Sequence, residues 1–380
     1  MSLKLLQAAL LLVAGSCSAA PSQPQAQGPS ATEPFTTTPV ASFDSPWAMD
    51  FLPGSGLPVT TMALVTEKAG KLWLVDTATG KRQAVGGIPK VAVTSQGGLA
   101  DVVVHPDFAG NRLVYLSFTE AGPNGTSGAA LGYGTLIFVG PAVPGGPTGA
   151  QLSDFKVIWR QQPKVGGGGH YSQRIAFAPD GTMFVSSGER QKGAPAQDPN
   201  SDLGKIIHLT ADGQRIGHHY TAGHRNVLGL AFAPDGRLWE TEMGPKGGDE
   251  LNLIIQGKNY GWPVASYGSE YSGADIPDAH ASRGFEEPKL RWNPSISPGS
   301  LLIYTGDAFP QWHGDALIGA LSGQALIRVD IDGDTARKAD QWDMGKRIRA
   351  VDQGPGGIVY LLEDGPGGRL IKLQPAPKNG

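Results

Sequence analysis

The stretch 177-FAPDGTMFVSSGE-189 returns as 232-FAPDGRLWETEMG-244. Each copy is an apolar strand, a Pro-Asp-Gly turn and a second, alternating strand. Proline presets the first corner of such a turn, and glycine takes the positive φ at its exit. Looser copies read 104-VHPDFAGNRLVYLSFTE-120 and 353-QGPGGIVYLLEDG-365, and 63-ALVTEKAGKLWLVD-76 has the same strand, turn, strand shape. The spacing is irregular, roughly 50 to 70 residues, which is room for about four strands. No amphipathic helix of more than two turns interrupts the copies. A four-stranded antiparallel sheet repeated radially is a β-propeller, and about six such units fit between residues 38 and 376. A pair of β-sandwiches is the alternative. The recurring turn favours an all-β, six-bladed propeller with four-stranded antiparallel blades.

Composition agrees with many short strands. Of 380 residues, 55 are Gly and 30 are Pro, an excess without the strict period of a collagen. Apolar residues, at 40%, suffice for a large core. The net charge of −3 has no basic stripe, which excludes a nucleic-acid partner.

The N-terminus reads as an export signal over residues 1–20. Lys4 is the positive region and Leu5 to Ala14 an apolar run too short to span a bilayer. Cys17 is the only cysteine, so no internal disulfide can form. Its position suits either a lipid anchor or simple cleavage near Ala19. Residues 21–38, rich in Ser, Pro, Gln and Thr, read as a flexible tether, and residues 39–376 as a single propeller domain. The expected location is the periplasm or another extracytoplasmic site, with outer-membrane anchoring if Cys17 is lipidated.

Five runs carry candidate chemistry, each entering or leaving a strand. In 166-GGGGHYSQRIAFAPDG-181, four glycines precede His170, and Glu189 stands one turn unit later, where it can accept the Nδ1 proton and free Nε2 as a base. In 223-GHRNVLGLAFAPDG-236, Arg225 and Asn226 can face a carbonyl or carboxylate. In 242-EMGPKGGDELNLIIQGKNYGWP-263, the carbonyls of Gly244 and Pro245 suit a hard cation such as Ca²⁺, with oxygens of Asp249, Glu250 and Tyr260 nearby. In 95-SQGGLADVVVHPDF-108, Gln96 precedes glycines and a strand. In 345-GKRIRAVDQGPGG-357, Arg347 and Arg349 share one strand face and repel unless an anion lies between them. Each run also has an ordinary explanation as a turn or a solvated surface. Together they suggest a flat, anionic, redox-active or metal-chelating ligand.

Matched in order, GHRN with its following strand, EMGPKGGDELNLI, GKNYGWP and RIR resemble the soluble dehydrogenases of glucose and other aldoses that use pyrroloquinoline quinone (PQQ), in particular the bacterial aldose-sugar branch. The resemblance covers the chain after about residue 40. It implies a PQQ- and Ca²⁺-dependent enzyme that oxidises aldoses at C1 to lactones. His170 would be the base, Glu189 its orienting carboxylate, and Arg225 the group that polarises the quinone. Gln96, Asn226, Tyr271, Arg347 and Arg349 would contact the cofactor. Gly244 and Pro245 would hold the Ca²⁺ on PQQ, and Glu250 and Tyr260 a second calcium. The glycines before His170 would let the planar quinone approach the backbone. Ser322 stands where the family often has a cofactor-binding lysine, a loss that Lys346 could compensate. Long insertions that narrow the site in some relatives are absent, so broad aldose tolerance is expected. An external acceptor (a quinone, cytochrome or dye) would reoxidise the enzyme, which is expected to be a monomer. A calcium-dependent propeller hydrolase of the lactonase kind and a carbohydrate-binding propeller without PQQ are the competing readings.

Overall fold

The computed structural model describes residues 33–53, 61–139, 149–278 and 280–377. The expected export signal, Cys17 and residues 21–32 of the expected tether lie outside the described residues.

The Pro-Asp-Gly turns form as their chemistry dictates. Gly181 and Gly236 take φ of +83° and +86°. In each, the aspartate Oδ1 accepts the N–H two residues on, from Thr182 at 2.9 Å and from Arg237 at 3.0 Å. The flanking strands then pair antiparallel, Phe177 with Met183 and Phe232 with Leu238. Repetition of such hairpins gives an all-β fold of four-stranded antiparallel units. Unit I spans residues 46–86, unit II 99–160, unit III 172–222, unit IV 227–292 and unit V 298–343. Unit VI joins residues 348–375 to the N-terminal strand Phe35–Asp44. A short parallel pairing, Val85 with Ala150 and Gly86 with Gln151, links the outer strands of units I and II.

The first strand of each unit packs on the first strand of the next, and that of unit VI returns to unit I. These first strands surround a central channel. The apolar core lies between units, where inward side chains of neighbouring sheets meet.

The expected tether ends too late. Phe35 already pairs with Pro375, and the strand runs on through Thr36, Thr37 and Thr38 to Asp44. This is an outer edge strand with most of its side chains exposed, so it lacks an alternating apolar pattern. Pro39, which would break a central strand, is tolerated at an edge. Phe35 is the anchor, buried against Trp312 and Trp342. Among the described residues no helix is long and apolar enough to cross a membrane.

Candidate functional site

One end of the ring gathers the candidate side chains because every unit begins there. Trp47, Gln96, His170 to Gln173, Arg225 with Asn226, Ser295 with Ser297, and Arg347 with Arg349 all stand at or just before the first strand of a unit. All of them line one cavity of about 210 Å³. In all six units the first hairpin carries a register shift near that same end. Such bulges bend the strand and re-aim its side chains. The second strand of each hairpin ends opposite, which sets Glu189 beside His170, Met243 beside Arg225 and Asp364 beside Arg347.

His170 has φ of +48° and is 8% exposed. Its Nδ1 is hydrogen-bonded to Glu189 Oε1, so Nδ1–H donates to the carboxylate and Nε2 keeps no partner among the described residues. Its backbone N–H donates to Gln96 Oε1 at 2.8 Å. Burial, together with the charges of Arg225 and Arg190, holds His170 below the ordinary imidazole range against the pull of Glu189. Burial pushes the Glu189 carboxyl up, but bonds from His170 and the Gly193 N–H outweigh it and leave the group below its usual value. The pair is therefore a neutral imidazole on an ionised carboxylate, which is the state a general base needs.

The glycines themselves stand outside the cavity lining. The cavity wall begins at His170 and leaves them out. A Cβ on Gly168 would meet Ser95 N at 3.1 Å, and one on Gly169 would meet the Gln191 carboxamide at 2.5 Å. The Gly168 carbonyl accepts from Gln96 N at 2.7 Å, and those of Gly167 and Gly169 point to Arg190. That buried guanidinium takes Gly169 O at 3.0 Å, Gly167 O at 2.6 Å and Ser127 O at 2.6 Å, and lies over the Tyr171 ring. Gly168 and Gly169 sit in close packing, Gly166 and Gly167 have room beside them, and the loop wraps an arginine.

Arg225 and Asn226 face the same cavity from unit IV. Arg225 N donates to Glu242 Oε2 at 2.6 Å, and its guanidinium reaches Met243 O at 2.9 Å and the Tyr271 hydroxyl at 3.4 Å. Its Nε is buried without a partner. Asn226 Oδ1 accepts from Ser172 N at 3.2 Å and Ser172 Oγ at 3.3 Å, which leaves its NH₂ group unused. Tyr271 stands at the open end, 73% exposed.

In unit VI, the anion between Arg347 and Arg349 is Asp364. Each arginine donates Nε to one of its oxygens at 2.8 Å. Burial pushes Asp364 up, but the two guanidiniums outweigh it and hold the group below its usual value. Burial and nearby Arg349 lower Lys68, whose Nζ reaches Ser95 O. Two guanidiniums thus share one carboxylate, and this wall keeps an excess of positive charge. Ser322 does not line the cavity; its hydroxyl lies 2.8 Å from Ser297 Oγ and 3.2 Å from Ser295 O, so its one proton serves either of them, one layer behind the wall. Lys346 does not line the cavity either.

The four residues expected to bind metal divide into two places. Gly244 and Pro245 line the main cavity, and neither carbonyl accepts a hydrogen bond among the described residues. Asp249 is unavailable to a cation, because its Oδ1 takes Gly244 N at 2.9 Å and its Oδ2 takes Ile296 N and Ser297 N, both at 2.7 Å. Glu250 and Tyr260 line a narrow space behind Arg225, shared with Glu242. The Tyr260 hydroxyl is spent on Leu253 O and Ile255 N, so only its carbonyl is open. Ligand atoms of His224, Glu240 and Glu242 lie within 4.8 Å of one another. Burial, and then the charge of Glu242, pushes Glu240 and Glu250 well above the usual carboxylate range. Glu240 Oε2 and Asn252 Oδ1 are buried with no partner. Acceptors in such excess suit protons or a hard cation.

Comparison with known proteins identifies the family. The sequence model of the glucose/sorbosone dehydrogenase family matches residues 43–372. The chain belongs to the glucose/sorbosone dehydrogenase family. It is 36% identical over 350 residues to the aldose sugar dehydrogenase YliI of Escherichia coli strain K12, covering 87% of this chain and 90% of that protein. The crystal structure of the soluble aldose sugar dehydrogenase of Escherichia coli in its apo form superposes with a TM-score of 0.82 at 34% identity, over 90% of this chain and 100% of that one. The PQQ-bound aldose sugar dehydrogenase of Streptomyces coelicolor gives 0.71 at 28% identity, over 90% and 98%.

The residues present fit the PQQ that is bound in that relative. Unpaired donors and an excess of arginine charge suit a ligand rich in carbonyl and carboxylate oxygens, and the two open carbonyls suit a cation. Sequence reasoning missed Trp47, Gln173, Arg190, Glu242, Asp364 and Lys68. Of these, Asp364 was within reach, because it ends the strand of a recognised repeat, 353-QGPGGIVYLLEDG-365. Gln173 and Arg190 carried no such signal.

Proposed function

We propose that this family member is an exported, PQQ- and Ca²⁺-dependent aldose dehydrogenase built on a six-bladed propeller, oxidising sugars at C1 to lactones. The observation that carries the reading is the His170–Glu189 pair, its Nε2 open to the cavity that Arg225 and the Arg347–Arg349 fork also line. Bound PQQ would supply a two-electron acceptor, and Ca²⁺ on the Gly244 and Pro245 carbonyls a Lewis acid. His170 Nε2 takes the proton of the C1 hydroxyl as the C1 hydrogen leaves as hydride, which turns the aldose into its lactone. Glu189 stabilises the imidazolium so formed and fixes the ring's orientation. Arg225 and Asn226 would hold acceptor oxygens of the cofactor, as would Gln96 and Tyr271, while Arg347 and Arg349 would hold its carboxylates. Ser322, one layer back, would act only through Ser297. Glu250 and the Tyr260 carbonyl would hold a second calcium. Residues 1–20 would direct export, Cys17 would carry a lipid if one is attached, and a quinone or cytochrome would collect the electrons from a monomer.

The test is reconstitution of apo-protein lacking residues 1–20 with PQQ and Ca²⁺, followed by addition of glucose and other aldoses with a dye acceptor. Sugar-dependent reduction of the bound quinone is expected, with several aldoses accepted. Absence of PQQ binding would overturn the proposal and favour the lactonase or binding-propeller readings.

A further inference from the structure

Gln173 stands out in the cavity wall. It is 1% exposed, and its carboxamide nitrogen is buried without a hydrogen-bond partner. Its backbone has φ of +75°, in a run where His170 and Ser172 are also left-handed, at +48° and +59°. A long side chain seldom adopts that conformation, and it persists only where the surroundings enforce it. Here the surroundings are the register shift between Ser172 and Ile175 and a 2.6 Å bond from Ser117 Oγ to Gln173 O. A glutamine kept for structure would spend its amide on the protein, since buried polar groups are nearly always paired. This one spends it on nothing in the protein while lining the cavity.

Its neighbours share the deficit. Arg225 Nε is buried and unpaired, and the NH₂ groups of Asn226 and Gln96 make no hydrogen bond among the described residues, because both side chains bond through Oδ1 or Oε1. Donors from three units therefore converge on one space and lack an acceptor. Gln173 belongs to the inner end of that space. The next residue, Arg174, turns into the channel beneath, where it is bound to Asp101 at 2.9 Å and lies over the Trp47 ring at 4.1 Å. Tyr271 marks the open end.

We infer that Gln173 contacts the cofactor, donating a hydrogen bond from its carboxamide to an acceptor oxygen of PQQ at the inner end of the cavity. The inference rests on the PQQ reading above. A sugar arriving from the open end meets His170 and Arg225 after the inner end is filled, so the substrate is not the partner of this amide.

The experiment titrates PQQ into wild-type, Gln173→Gly and Gln173→Glu apo-proteins with Ca²⁺ present, by quenching of tryptophan fluorescence, with melting curves in parallel. Glycine adopts a positive φ freely, so Gln173→Gly relieves the backbone and should melt no lower than wild type. It should nonetheless bind PQQ about 10-fold more weakly. Gln173→Glu keeps the volume but brings a negative charge and should bind on the order of 100-fold more weakly. Equal PQQ affinity in all three proteins would overturn the inference. So would an unchanged PQQ affinity with a raised sugar KM, which would turn the amide toward the substrate. Failure of the wild type to bind PQQ would be a different result, sinking the proposed function and this inference with it.

Discussion

In the proposed reaction, the decisive chemistry at the scale of one residue is the proton affinity of His170. Burial and two guanidiniums disfavour the imidazolium, and Glu189 alone favours it. The acid limb of the turnover profile should therefore lie below the ordinary imidazole value of about 6.5. Glu189→Gln removes the one group that raises this affinity. The limb should move to still lower pH, and turnover should fall by about 10²-fold or more because the ring loses its orienting partner. The pH dependence of kcat in the reconstituted variant checks both, and a limb that stays in place or moves up would show that Glu189 is not coupled to the base. His170→Ala should abolish turnover and leave the PQQ titration unchanged, since the imidazole is not proposed to hold the cofactor.

At the scale of the element, the N-terminal strand decides whether the ring closes. Phe35 is 3% exposed and meets Trp342 edge-on at 5.4 Å between ring centroids. If residues 21–38 were a tether, Phe35→Ala would be silent. As the first residue of the closing strand it should cost about 3 to 5 kcal/mol, read from denaturant unfolding of the two proteins side by side. The Pro-Asp-Gly hairpins were legible in the sequence because the turn chemistry is local: proline, aspartate and glycine each do their part within four residues. Residues 35–38 were not legible, because an edge strand exposed on both faces has no alternation to detect. The glycine run before His170 was legible as a special loop, but the arginine it wraps was not. Arg190 lies more than twenty residues from Gly167 in sequence, and only the folded hairpin brings them together.

At the scale of the whole molecule, the site exists because six first strands start at one end of a ring. Sequence order gave the runs around His170, Arg225, Gly244 and Arg347, and it could not show that Asp364 already occupies the space between the two arginines or that Gln173 and Trp47 close the inner end. Those facts depend on which units are neighbours and on the bulge in every first hairpin. The same convergence has a consequence beneath the site. Asp50, Asp101 and Asp352 line the axial channel, with Arg174 as their one cation there among the described residues. Arg174 is spent on Asp101, Leu228 O and Gly299 O. Burial, with repulsion from Asp101, raises Asp50 to about 7, and burial with repulsion from Asp50 raises Asp352 well above its usual range. A carboxyl raised in the folded state keeps its proton while the unfolded chain gives its own up. Stability is therefore lost as pH climbs from about 4, the unfolded value, toward 7. Asp352→Asn removes one of the two mutually repelling groups, and its carboxamide oxygen can still accept the Gln353 N–H that Asp352 Oδ1 now takes at 2.7 Å. The variant should melt several degrees higher than wild type at neutral pH, and the gap should close as the buffer is taken down toward the unfolded carboxylate value. Melting curves across that window decide it: a gap that persists in acid would mean that the gain comes from packing rather than from charge on the axis.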